Sequence, residues 1–198
     1  MTRELLAPVI ARKSLNNTYR YAGGIVSILL SGADTGGEFA VWEAVQKPGG
    51  EPPLHLHHTS DETFFVMEGA IRFMVGDRIL DAPEGSVVFA PRGVPHAFRI
   101  KSPQARAITL CTPAGFEKWF QELGRPATSF DLPDSVERFS ESDLRKMVAL
   151  GHALQTEMIP RCRLLIRELC RLYCTKLKSP GIAPIVRASR RGLERMPS

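Results

Sequence analysis

Between residues 24 and 110 the chain alternates short apolar runs with polar breaks. The runs are GIVSILL, EFAVWEAV, TFFVMEG, AIRFMVG, SVVFAP, HAFRI and ARAITLC; the breaks include SGADTGG, KPGGEPP, VGD, APEG and PRGVP. Runs this short, separated by Gly, Pro, Asp and Ser, predict many strands joined by tight turns, and hence a β-sandwich or barrel. The alternation is clear in AIRFMVG, where Ile71, Phe73 and Val75 fall on one face and Arg72 and Met74 on the other.

Helical patterning begins only after the last of these runs. Thr112 as cap, Pro113 at the first helical position and Gly124 as terminator predict a helix over PAGFEKWFQEL. FDLPDSVERF reads as a linker or short turn. Ser140 and Asp143 form a variant capping box that opens ESDLRKMVALGHALQ, with Phe139 placed to staple it. After Pro160, RCRLLIRELCRLYCTKL predicts a third, amphipathic helix. SPGIAPIVRASRRGLERMPS reads as a poorly ordered end. The expected organisation is an N-terminal arm (1–23), a β-barrel (24–112), C-terminal helices (113–159) and a basic amphipathic helix with its tail (160–198). No internal repeat is present.

Composition adds four constraints. At 198 residues and 43% apolar content the chain can build a substantial core. It holds no apolar run of membrane-spanning length and its N-terminus lacks the pattern of a secretory signal, so a cytoplasmic location is expected. The net charge of +5 is unevenly spread: from Arg161 onward there are ten basic and two acidic residues, which leaves sixteen basic and nineteen acidic for the rest, a balance of −3. The basic character therefore belongs to the tail. There Arg163, Arg167 and Arg171 lie opposite Leu165, Ile166, Leu169, Leu172 and Tyr173. We read this as a helix packed on the barrel or on a second subunit, or as a loose extension without function, in preference to a contact with an acidic membrane surface or a partner. No aromatic platform accompanies the arginines, which argues against nucleic acid. Cys111 in the body and Cys162, Cys170 and Cys174 in the tail match neither zinc-finger nor CxxC spacing, and are expected to be reduced.

The histidines carry the chemistry. Of five, His55, His57 and His58 fall in HLHH, Glu62 follows, and His96 sits in VPHAF beyond a Pro/Gly turn; His152 lies on the second helix. Strand alternation puts His55 and His57 on one face and Leu56 and His58 on the other. HTSD can turn the chain and return Glu62 to the same side, and His96 must arrive from another strand. Three imidazoles and a carboxylate suit a divalent transition metal with room for further ligands (Fe, Mn, Ni, Co or Cu) better than a closed structural zinc site. The alternative is a hydrogen-bonded polar cluster without metal. His58 reads as structural or supporting. Phe64, Phe73, Phe98 and Trp42, with Met74, are either an apolar substrate pocket or ordinary core. Phe64 and Phe98 each lie two residues from a proposed ligand and share its face. Cys111 reads as a buried apolar residue.

These residues stand at the spacing of two known motifs. Gly49, His55, His57, Glu62 and Gly69 match G(x)5HxH(x)4E(x)6G; Gly85, Pro91, Gly93 and His96 match G(x)5PxG(x)2H(x)3N, with Ile100 in place of the final Asn. In this the chain resembles the cupin superfamily, with a short inter-motif gap, Ala70 to Glu84. The resemblance implies an all-β cupin (jelly-roll) barrel with metal ligands His55, His57, Glu62 and His96. The phrases PPLHLHH, DETFFVMEG and PRGVPHAFR are most similar to small single-domain relatives of quercetin 2,3-dioxygenase. That likeness implies a metal-dependent dioxygenase using O2 on an aromatic or enolic small molecule, with Glu62 also contacting the substrate hydroxyl as its base. Another cupin enzyme, an isomerase or decarboxylase, or a non-catalytic binding module for a small ligand or metal, is the alternative. The resemblance also implies a homodimer, paired through sheet edges or through residues 1–23 as an exchanged arm.

Overall fold

The structure is a computed structural model that describes residues 6–136 and 139–159. In chain order its elements are β1 (Thr18–Tyr21), β2 (Gly24–Leu30), α1 (Gly32–Thr35), β3 (Ala40–Gln46), β4 (His55–His57), β5 (Asp61–Glu68), β6 (Ala70–Val75), β7 (Arg78–Pro83), β8 (Val87–Ala90), β9 (His96–Ile100), β10 (Ala105–Thr112), α2 (Lys118–Leu123), β11 (Arg125–Pro126), α3 (Glu141–Ala153) and β12 (Thr156–Met158). The strands form two antiparallel sheets, one ordered β11-β1-β2-β3-β10-β5-β8 and the other β12-β4-β9-β6-β7. The fold is thus cupin-like and mostly β, but its strand pairing runs within two packed sheets and not around one closed barrel.

Alternation builds the space between the sheets. β6 buries Ile71, Phe73 and Val75, as its sequence predicts, and these meet Phe64 and Val66 of β5, Val88 of β8, Ile100 of β9 and Ala107 of β10. Burying that much branched and aromatic surface is the main driving force for closing one sheet on the other. A second cluster, Val26, Ile28, Ala40, Trp42 and Cys111, is covered by Phe116 and by Phe120 of α2. Gly69 joins β5 to β6 at φ +81°, and a Cβ there would lie 2.5 Å from the Gln104 carbonyl oxygen, so both conformation and space demand glycine.

Several expectations change. The helix foreseen from Pro113 begins only at Lys118. Thr112 does not cap it: Thr112 ends β10 and its hydroxyl donates to the Glu38 carbonyl at 2.9 Å, while the buried Glu117 carboxylate accepts from the Gly32 and Gly115 amides at 2.9 and 2.6 Å. SGADTGG, foreseen as a turn, contains α1. Residues 18–21, assigned to the arm, form β1 and pair with β2 of the same chain. The segment 113–159 is not wholly helical, because β12 returns to pair with β4. The Ser140–Asp143 capping box does open α3. The third helix and the basic tail at 160–198 lie outside the described residues, as do Cys162, Cys170 and Cys174. Among the described residues no helix is long and apolar enough to cross a membrane.

Candidate metal centre

Both sheets contribute to the site. β4 carries His55 and His57, its neighbour β9 carries His96 in register with His55, and Glu62 comes from β5 in the facing sheet. The connection from β4 to β5 takes only three residues, which is what brings the carboxylate back to the imidazoles. The turn before His96 is tied to the same region. Gly93 N–H donates to the His57 carbonyl at 2.8 Å, and Asp61, next to Glu62, accepts from the Arg92 amide at 2.7 Å and from its guanidinium at 2.7 and 3.1 Å.

His55, His57, Glu62 and His96 are all buried, and one potential ligand atom from each lies within 4.8 Å of the others. The second ring nitrogen of each imidazole is already engaged. Nδ1 of His55 meets the Pro53 carbonyl at 2.9 Å, Nδ1 of His96 the Val94 carbonyl at 3.1 Å, and Nδ1 of His57 the Thr156 hydroxyl at 2.9 Å. The carbonyls can only accept, so they hold the proton on Nδ1, which leaves the Nε2 lone pair of His55 for a ligand, while His96 Nε2 donates to Glu62 Oε2 at 3.0 Å and gives up that proton when a metal binds. Thr156 can do the same for His57, since the Leu154 carbonyl lies 3.4 Å from its oxygen and offers an acceptor for the hydroxyl hydrogen. Nε2 of His57 is buried, lies 3.3 Å from Glu62 Oε2 and makes no hydrogen bond. A buried nitrogen without a partner, beside two imidazoles and a carboxylate, is what a metal site leaves when the ion is taken away. Ligand atoms about 2.0–2.2 Å from an ion stand about 4 Å apart at most, so only small side-chain adjustments separate this cluster from coordination. The residues fit a divalent metal.

The electrostatics follow from burial and crowding. Burial disfavours a charged Glu62, but the nearness of the His57 ring and the hydrogen bond from His96 outweigh it and hold the carboxyl well below the usual carboxylate range. Burial, reinforced by His96 and His57, pushes His55 down to about 3, so it is neutral at physiological pH, the form that binds metal. Burial also opposes charge on His96, but the bond of its Nε2 to Glu62 Oε2 at 3.0 Å wins and raises it.

A cavity of about 230 Å³ opens beside the ligands, with His55 and Glu62 on its lining. Trp42, Phe64, Phe73 and Phe98, foreseen as pocket or core, all line it; Trp42, Phe64 and Phe73 are also buried core residues, so both readings hold for them. His58 is exposed and meets Glu157 at 3.3 Å, and His152 is exposed on α3. Cys111 is buried and its thiol is pushed up, chiefly by burial, which leaves it inert. Sequence reasoning missed Thr156 and the cavity walls supplied by Phe116, α2 and α3. The only local signal for β12 is the short run TEM before Ile159 and Pro160.

Residues 42–113 match the cupin domain family. The chain therefore carries a cupin domain. Among curated relatives of this cupin, quercetin 2,3-dioxygenase of Bacillus subtilis (strain 168) is 24% identical over 142 residues, 68% of this chain and 42% of that protein. The uncharacterised protein SCO3923 of Streptomyces coelicolor (strain ATCC BAA-471 / A3(2) / M145) is 36% identical over 56 residues, 28% of this chain and 53% of that one. The chain thus spans about half or less of the length of these relatives. Among solved structures, Pac13, a Streptomyces nucleoside dehydratase, superposes with a TM-score of 0.45 at 12% identity, covering 56% of this cupin and 88% of that chain.

Proposed function

We propose that this cupin is a metal-dependent dioxygenase that cleaves or oxygenates a hydroxylated aromatic or enolic small molecule, flavonol-like at its most specific. One observation carries the reading: three imidazoles and a carboxylate converge, and two of them, His55 and Glu62, line a cavity rich in aromatic side chains. His55, His57, Glu62 and His96 would hold the metal, and Fe, Mn, Ni, Co or Cu all suit this donor set. A metal bound there supplies Lewis acidity and a template for substrate and O2.

The side chains do the remainder. Glu62 stays anionic because His57 and His96 stabilise its charge, so it can accept the substrate's hydroxyl proton. Its depressed basicity is poor for this role on its own, so the transfer would need a hydroxyl made acidic by a divalent metal held in the cluster. Phe64, Phe73, Phe98 and Trp42 exclude water and stack against a planar ring. The 24% identity to a quercetin 2,3-dioxygenase supports the same direction.

The protein would act as a homodimer. Phe65 and Met67 of β5 and Val87 and Phe89 of the edge strand β8 are exposed, and Phe65 stands opposite Val87 in register, which makes one outward apolar patch at a sheet edge.

Oxygen uptake with a flavonol, after loading with each metal in turn, tests the activity. We expect metal-dependent consumption that Glu62→Gln abolishes. Turnover without oxygen would favour an isomerase or decarboxylase, and binding without turnover a non-catalytic module; either result contradicts the dioxygenase.

A further inference from the structure

We infer that α3, which lies beyond the cupin-matching residues 42–113, is the specificity element of the cavity: it forms the wall against which the body of a neutral, largely apolar ligand packs. Leu144, Met147 and Val148 stand at i, i+3 and i+4 on α3, so they share one face, and all three line the cavity together with Met158 of β12. Each is only half-buried. An apolar helix face of this kind is normally covered by core; here it fronts the cavity, and a ligand body would complete its burial.

The polar groups define the other half of the ligand. No Lys or Arg of the described residues lines the cavity, so nothing there would neutralise a phosphate or sugar-acid carboxylate. Of the two acidic groups on the lining, Glu51 is committed, its oxygens accepting from the Ile100 and Gly49 amides at 2.9 and 2.8 Å. Glu62 belongs to the metal cluster. Trp119 donates its indole N–H to the Tyr21 hydroxyl at 2.9 Å, so Tyr21 keeps one proton to donate. Beyond these the lining offers the neutral polar side chains of Gln46 and Thr109. A polyhydroxylated ligand would therefore leave buried hydroxyls without partners, whereas an aryl ketone or enol with one oxygen-bearing edge would not. The inference deepens the proposed function, in that it takes the same cavity as the substrate site.

The two tryptophans of the chain, Trp42 and Trp119, both line the cavity and report occupancy without turnover. The full-length protein is loaded with redox-silent Zn2+ and titrated with 3-hydroxyflavone, uridine and galacturonate, following tryptophan quenching. We expect saturable quenching by 3-hydroxyflavone alone. Val148→Phe, which fills the wall, should weaken it by about tenfold or more, and Met147→Ala should shift preference towards a bulkier aryl-substituted flavonol. Arg145→Ala, on an exposed residue of the same helix that pairs with Glu141, should change nothing. Comparable binding of uridine or galacturonate overturns the inference, as does indifference to Val148→Phe and Met147→Ala, or equal weakening by Arg145→Ala. Selective binding without oxygen uptake would leave the inference standing and remove only the dioxygenase.

Discussion

Thr156 reaches the candidate metal cluster from a strand that the cupin motifs do not include, and substituting it isolates what that strand contributes. Thr156→Val keeps the shape and β-branching of the side chain but removes the hydroxyl that meets His57 Nδ1 at 2.9 Å. His57 is 1% exposed, so no water replaces the lost partner. A buried N–H left without an acceptor costs about 1–3 kcal/mol, and the imidazole is then free to carry its proton on Nε2, where it cannot bind a metal. Partners of this kind typically account for about 10–100-fold in metal affinity, equivalent to about 1.4–2.8 kcal/mol. The assay is competition between the full-length protein and a chelating dye for Zn2+ or Co2+, with circular dichroism establishing that each variant is folded. Thr156→Val should bind about 10–100-fold more weakly, and Thr156→Ser, which restores the hydroxyl, should fall within about threefold of the parent. A folded Thr156→Val protein with unchanged affinity would refute the reasoning.

Other outcomes can be measured without turnover. In the metal-free protein His55 stays unprotonated down to about pH 3, whereas in the unfolded chain it takes up a proton near 6.5; between those values the unfolded chain binds more protons, so stability falls with falling pH, at a slope approaching about 1.4 kcal/mol per pH unit. His96 is raised, so the stability it adds is present below its unfolded value and is lost as pH climbs through its folded one. Urea unfolding from pH 4 to 9 should therefore give a maximum near neutrality, with the acid limb shallower in His55→Gln; stability that rises steadily towards pH 4 would contradict this. Phe89→Glu puts a charge into the exposed patch of β5 and β8 and should convert a dimer to monomer in light scattering, while a dimer that survives it pairs elsewhere. Gly69→Ala forces a Cβ against the Gln104 carbonyl at positive φ and should lower stability by more than about 1 kcal/mol in chemical unfolding.

What could be read from the residues divides along physical lines. β6 and the ligand spacing were legible because period-two alternation and short-range turns are local properties: His55 and His57 share a face by strand geometry, and three residues return Glu62 to them. The α3 cap was legible for the same reason, Ser140 and Asp143 being one turn apart. The start of α2 was misjudged because Thr-Pro is an equally good end for a β-branched strand, and the contact that holds Thr112 in β10 comes from distant Glu38. β12 was missed because three residues are too few to show a period, and its register with β4 joins Thr156 to His57 across 99 positions. The cavity wall on α3 was hidden likewise. Leu144, Met147 and Val148 look like any buried helix face until packing leaves them half open. Expectations for 160–198 lie outside the described residues.

The proposed chemistry requires a metal at the convergence of His55, His57, Glu62 and His96. Elemental analysis of the purified protein, beside a folded His96→Ala variant prepared identically, tests it most directly. We predict about one equivalent of a divalent transition metal in the parent and loss of most of it in the variant. A parent that stays metal-free after incubation with each candidate ion, or a variant that retains the full complement, would contradict it.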